Sequence, residues 1–215
     1  MKLHLENIGL IQDATIEMQG ITVIAGENGT GKSTVGKALY SIFNSFYEVQ
    51  EQIRKERFQS IENIIQIMYN FYSPRHEKIV NIHGYSIELL KNRDKYAKFP
   101  EKLKKDLKVM LEIDPDRSGL KIDQLRMDDF VGHIVESLKI SDEAILNSLI
   151  ARKLNIEFNN QLLNVFAEDR GKIELHVQNE NLHIEVEQER ICANRLDFGL
   201  HTEAIYIDDP FVLDN

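Results

Sequence analysis

The chain has 215 residues, 42% of them hydrophobic and 28% charged, which suffices for one sizeable core or for one core with an appended subdomain. No run approaches the ~18 uninterrupted apolar residues of a spanning helix and the first residues lack a signal-peptide core, so a cytoplasmic protein without a membrane partner is expected. The one cysteine, Cys192, excludes an intrachain disulfide or a cysteine zinc cluster and reads as a buried, inert thiol, and a net charge of −9 excludes a uniformly basic surface.

In chain order, Leu3 and Leu5 alternate with His4 and Glu6, and Ala14 and Ile16 with Thr15 and Glu17, the period of two expected of half-buried strands. Ile21-Thr-Val-Ile24 is a β-branched run ending at Ala25-Gly26 and predicts a third, central strand. A helix is expected from near Lys32, with Val35, Leu39, Ile42, Phe43 and Phe46 on one face. The stretch from Val49 to Phe166 reads as predominantly helical, with a break at Ser73-Pro74, a helix from Lys102 to Leu111 and a turn over Asp114-Pro115-Asp116-Arg117-Ser118-Gly119. Ser141-Asp142-Glu143 is an N-cap with an acidic first turn, placed ahead of Ile145, Leu149 and Leu154. No heptad persists, which predicts a packed helical insertion instead of a coiled-coil arm. Lys172–Val177 and Leu182–Val186 alternate around Gln178-Asn-Glu-Asn181 as a hairpin, and Ala204-Ile-Tyr-Ile207 reads as one more apolar strand. The division that follows is residues 1–48, a helical insertion over 49–166, and a return to the first part over 167–215.

Charge is unevenly spread. Arg75 to Lys108 holds ten Lys/Arg against five Asp/Glu, and Glu168 to Asn215 holds four against twelve. The first segment reads as a solvated helix face, with a basic patch for DNA, RNA or an acidic partner as the alternative.

The motif that carries chemistry is Gly26-Glu27-Asn28-Gly29-Thr30-Gly31-Lys32-Ser33-Thr34, a complete G-x-x-x-x-G-K-[ST] between a predicted strand and a predicted helix. Glycines 26, 29 and 31 permit backbone conformations and a close approach that side chains would obstruct, so inward-pointing amides and the following helix N-terminus make a nest for phosphates. In this reading Lys32 reaches the β- and γ-phosphates of ATP, Ser33 completes a magnesium shell and Thr34 supports the loop.

The form G-x-N-G-x-G-K-S-T, close behind Leu3-His-Leu-Glu-Asn-Ile-Gly9, resembles the SMC- and RecF-like branch of the ABC ATPases, and especially the bacterial AAA-family ATP-binding proteins. The resemblance covers roughly the first 45 residues. It implies an α/β P-loop lobe with antiparallel N-terminal strands, and a split active site in which a second head or a second copy caps the ATP with an LSGG-type signature, so that binding closes a dimer and hydrolysis opens it. No such signature occurs here, Arg195-Leu-Asp-Phe-Gly199 being too degenerate, and the chain reads as an N-terminal portion. Gln50, Gln52, Gln59 and Gln66 are all candidates for the family's glutamine loop, and no context selects one.

Ile205-Tyr-Ile-Asp208-Asp209-Pro210-Phe211 is similar to a Walker B element, with Asp208 as metal residue and Asp209 as base; the competing reading is a strand-ending turn. His76 and His83 lack zinc-site spacing and read as solvated polar residues, while Tyr69, Phe71 and Tyr72 read as a core-facing cluster before they read as a base-stacking platform near Arg75. The expected function is an ATP-binding, magnesium-dependent ATPase head acting on a partner or on nucleic acid. The alternatives are a small P-loop kinase with lid arginines drawn from Arg75, Arg93, Arg117 and Arg126, and a binding-only nucleotide module. A GTPase is disfavoured because no N-K-x-D motif appears.

Overall fold

The computed structural model describes residues 1–72, 80–111, 124–166, 170–188, 190–194, 198, 200 and 202–206, which form two compact units. Unit 1 comprises Met1–Gln50 with Asp142–Asn215, and unit 2 comprises Glu51–Ser141.

Unit 1 is built on an antiparallel sheet of β1 (Lys2–Ile8), β2 (Ile11–Glu17), β3 (Arg170–Val177), β4 (Glu180–Glu187) and β5 (Ile191–Ala193), in the order β2-β1-β3-β4-β5. The two alternating runs near the N-terminus thus form the strands their period predicts. Leu3 and Leu5 point into the core and His4 to the other face. Asn7 then adopts the left-handed region (φ 56°), which breaks the alternation and brings Ile8 into the core. The neighbouring strand matches that kink with Gly171, where a Cβ would stand 2.9 Å from the Asn7 carbonyl oxygen. Gly9 (φ 54°) and Leu10 turn the chain from β1 into β2. The later hairpin also forms, with its turn confined to Gln178 (φ 54°) and Asn179.

Over this sheet lie α1 (Lys32–Phe46) and α7 (Asp142–Glu157), packed on each other, with α7 also against β5. Helix α1 buries Val35, Ile42 and Phe46 of the face expected from its spacing, together with Ala38, whereas Leu39 and Phe43 are only partly buried. Lys153 on α7 donates to the Asn44 carbonyl in the last turn of α1, where no basic residue of α1 itself meets the negative end of the helix.

In unit 2, α2 (Val49–Tyr72), whose first residues belong to unit 1, continues into a bundle with α3 (Ile82–Lys91), α4 (Arg93–Lys98), α5 (Pro100–Met110) and α6 (Gln124–Lys139). Ile61, Ile65, Met68, Leu103, Leu107 and Ile134 are fully buried at its centre. Tyr69 joins that core and Tyr72 packs against it, whereas Phe71 lies near the surface under the Arg126 guanidinium, 4.7 Å from the ring centroid. The Ser73-Pro74 break, the turn over 114–119, Arg75 and His76 lie outside the described residues.

Two sequence expectations are corrected. Ile21–Ile24 is not a strand, and Ile21 and Val23 are 95% and 85% exposed. Pairing along β1 ends with the Met18 N–H donating to the Met1 carbonyl (2.8 Å), after which Gly20 (φ 60°) turns the chain off the sheet edge. The β-branched run therefore finds no neighbour, and intrinsic preference alone does not make a strand. Residues 204–206 likewise run without strand pairing, Ala204 and Tyr206 partly buried and Ile205 88% exposed between them.

Candidate functional site

Residues 25–31 connect the unpaired run to α1, and the geometry of the loop begins at its glycines. Gly31 is the N-cap of α1 in the left-handed region (φ 88°), and a Cβ there would stand 2.6 Å from Ile11 Cγ1, so the loop rests directly on β2. Gly29 (φ 81°) makes the preceding turn with open space around it. Thr30 Oγ1 donates to the Glu27 carbonyl (2.9 Å) and sits where a side chain at position 26 would intrude. Glu27 and Asn28 are exposed on the rim.

Helix α1 opens with its positive end bare. No side chain caps it and no acidic residue stands in its first turn, so the amides of Lys32, Ser33 and Thr34 precede the first i→i−4 bond, in which the Val35 N–H donates to the Gly31 carbonyl (3.4 Å). Lys32 Nζ folds back across the loop and donates to the carbonyls of Gly26 (2.9 Å) and Glu27 (2.5 Å). The Ser33 side chain is exposed and has no hydrogen-bond partner among the described residues. Thr34 is different: it is 6% exposed and packs against Gly9, so it anchors α1 to the β1–β2 turn.

The chain returns past α1 near its end. The Leu200 N–H donates to the Phe46 carbonyl (3.2 Å), Asn44 exchanges bonds with the Ala204 backbone (3.2 and 3.3 Å), and the Tyr206 ring lies 6.0 Å from that of Tyr40 and against Gly36. Leu200, Ala204 and Tyr206 therefore follow α1 in the antiparallel sense, toward its N-terminus. Asp208 and Asp209, the two predicted acidic residues, lie just beyond and outside the described residues. Sequence reasoning missed Asn44 and Gly36 as the docking points of this segment, although a glycine inside a helix, which costs about 1 kcal/mol against alanine, signals a close approach.

Other candidates fall elsewhere. Gln50, Gln52, Gln59 and Gln66 lie along α2, where Gln66 Nε2 donates to Asn70 Oδ1 (3.0 Å). His83 Nδ1 pairs with Glu62 (3.0 Å), and no cluster of three or more metal-ligating side chains occurs among the described residues. Cys192 is half-buried, its sulfur accepting from Arg190 Nε (3.0 Å). The densest ionic cluster among the described residues is on the outer sheet face. There Glu174 accepts from Lys172 Nζ (2.7 Å), His4 Nδ1 (3.1 Å) and His183 Nδ1 (3.1 Å), and the Lys172 bond first among these pushes its carboxyl down to about 2.

A bare helix N-terminus, a mobile-stemmed ammonium and an unshared hydroxyl around a glycine cradle suit a polyphosphate with its cation, the chemistry of P-loop nucleotide-binding proteins of α/β class. The chain belongs to the AAA ATPase domain family, whose model matches residues 1–190. It is thus an ATP-binding protein of the ATPase class at the level its family defines. No curated protein and no solved structure matches it. No helix among the described residues is long and apolar enough to cross a membrane.

Proposed function

We infer that Gly26, Glu27, Asn28, Gly29, Thr30, Gly31, Lys32, Ser33 and Thr34 form the grip on ATP, and that the chain acts as an ATPase head of the SMC- and RecF-like kind, closing on a second head or a second copy through the nucleotide. The observation that carries the reading is the uncapped α1 N-terminus held on Ile11 by a left-handed glycine, because that arrangement exposes unpaired amides to an anion. Lys32 exchanges its two carbonyl contacts for β- and γ-phosphate oxygens, and Thr34 fixes the helix below. Ser33 and Asp208 would hold magnesium, which would neutralise charge on the phosphate oxygens. The direction in which Leu200, Ala204 and Tyr206 follow α1 supports that role for Asp208 and the role of water-orienting base for Asp209. Aspartate at position 209 reaches one methylene less far than glutamate and works slowly without a partner head.

The test is an ATP titration with and without magnesium on the wild type, Lys32→Ala and Asp208→Asn. Lys32→Ala is expected to weaken binding by roughly tenfold or more, the loss of one hydrogen bond to a charged group. Asp208→Asn is expected to weaken only the magnesium-dependent part. Unchanged affinity in Lys32→Ala sinks the phosphate-loop assignment. Turnover by the purified monomer at about 1 per second would show that no second head is needed.

A further inference from the structure

Unit 2 carries a surface that the nucleotide site does not use. Of the cations in the basic stretch, two are committed to structure: Arg93 donates to the carbonyls of Leu138 (2.6 Å) and Ile140 (3.1 Å) at the end of α6, and Lys104 is paired with Asp128. Glu101 acts on Lys104, along the flank that already holds Asp128. What remains along the junction of α4 and α5 is Lys98, Lys102 and Lys105, exposed and without an ion-pair partner among the described residues. Lys102, Lys105 and Val109 follow one another at i, i+3 and i+7 on one ridge of α5. Phe99, between the two helices, is 61% exposed.

The lysines are also crowded. Lys102 is close enough to Lys95 to compete for its hydrogen-bonding positions, which holds the Lys95 ammonium below the usual lysine range against the opposing pull of Asp106 and Glu88. Like charges set together on a helix surface cost stability and are relieved by a bound anion. We propose that the α4–α5 ridge binds single-stranded nucleic acid, with Lys95, Lys98, Lys102 and Lys105 on the phosphates and Phe99 stacked on a base. Repeated cations along a helix suit a backbone of regularly spaced charge, and a protruding aromatic ring between them suits a base whose π-face is open, as it is only in a single strand. An acidic protein segment would use the lysines and leave Phe99 without a role. The net charge of −9 repels a polyanion from the chain as a whole and confines binding to this ridge.

The experiment is fluorescence anisotropy of a labelled oligothymidine of about 15 nucleotides titrated with the full chain at several salt concentrations. Four phosphate contacts predict a slope of about −3 for log affinity against log salt. Lys102→Glu with Lys105→Glu is expected to lower affinity by about tenfold or more and to flatten the slope. Phe99→Ala should lower affinity by about fivefold or more and leave the slope unchanged, which a purely ionic surface would not do. Lys2→Glu, on the sheet of unit 1, serves as the control and should bind as the wild type. Absence of salt-dependent binding overturns the proposal, as does equal binding by Phe99→Ala together with displacement of the oligonucleotide by polyglutamate. Because these side chains are exposed, circular dichroism of each variant should match the wild type; Lys102→Gln with Lys105→Gln repeats the test with less charge change.

Discussion

Single residues decide whether the phosphate loop exists. At Gly31 an added methyl group meets Ile11 at 2.6 Å with φ at 88°, so Gly31→Ala incurs both a left-handed backbone penalty of about 1–2 kcal/mol and a displaced Ile11. Gly29→Ala has φ 81° but open space around it and incurs the backbone penalty alone. The expected outcome is a lower thermal midpoint for both, larger for Gly31→Ala, with ATP binding lost in Gly31→Ala; equal midpoints would refute the contact with Ile11. The Glu174 cluster predicts a pH response. The ordinary carboxyl value of 4.5 falls to about 2 in the folded chain, so its stabilisation is complete above 4.5 and is lost as pH falls toward 2. His4 works in the opposite direction. Glu174 and Asp13 raise it above 6.5, so its contribution is complete below 6.5 and disappears as pH rises through the higher folded value. Thermal midpoints measured from pH 7 downward should drop between 4.5 and 2, and Glu174→Gln should flatten that drop.

Elements are held by their ends as much as by their apolar faces. The last carbonyls of α6 are met by two arginines from other helices, and Arg57, 6% exposed, donates to Ser137 (3.1 Å) and Ile140 (2.7 Å). Arg57→Ala should lower stability in urea by about 1.5–3 kcal/mol, the worth of hydrogen bonds to a charged group, and Arg57→Lys should recover only part because it lacks the planar fork. Arginine→alanine variants indistinguishable from wild type would show the caps to be idle. At this scale the sequence was legible wherever the element carries its own start and stop. Lys32 after the glycines and Ser141-Asp142-Glu143 before α7 each mark a helix that the structure contains, and the helix expected from Lys102 begins two residues earlier, at Pro100. Ile21–Ile24 was misread because β-branched residues state a preference for a strand without supplying the neighbour that a strand requires.

For the whole molecule, the proposed nucleotide grip falls in unit 1 and the helical bundle makes up unit 2. A ligand that binds only the folded form stabilises it by about 2.7 kcal/mol at a hundred times its dissociation constant. Hydrogen exchange with and without saturating ATP and magnesium should therefore show slower exchange in α1 and the β1–β2 turn, which Thr34 links to the loop through Gly9. Protection limited to α3 through α6 would place the nucleotide elsewhere.

The sequence by itself determined the glycine loop, the lysine and serine that follow it, the two alternating strands β1 and β2 and the helix α1, because each of these rests on local conformation and short-range period. Tertiary structure alone decided that Gly31 sits on Ile11, that Thr34 packs against Gly9, that Leu200, Ala204 and Tyr206 follow α1 toward its N-terminus, and that Ile21–Ile24 stays unpaired. These depend on which distant segment occupies the neighbouring space, and no spacing within a single stretch of chain encodes that.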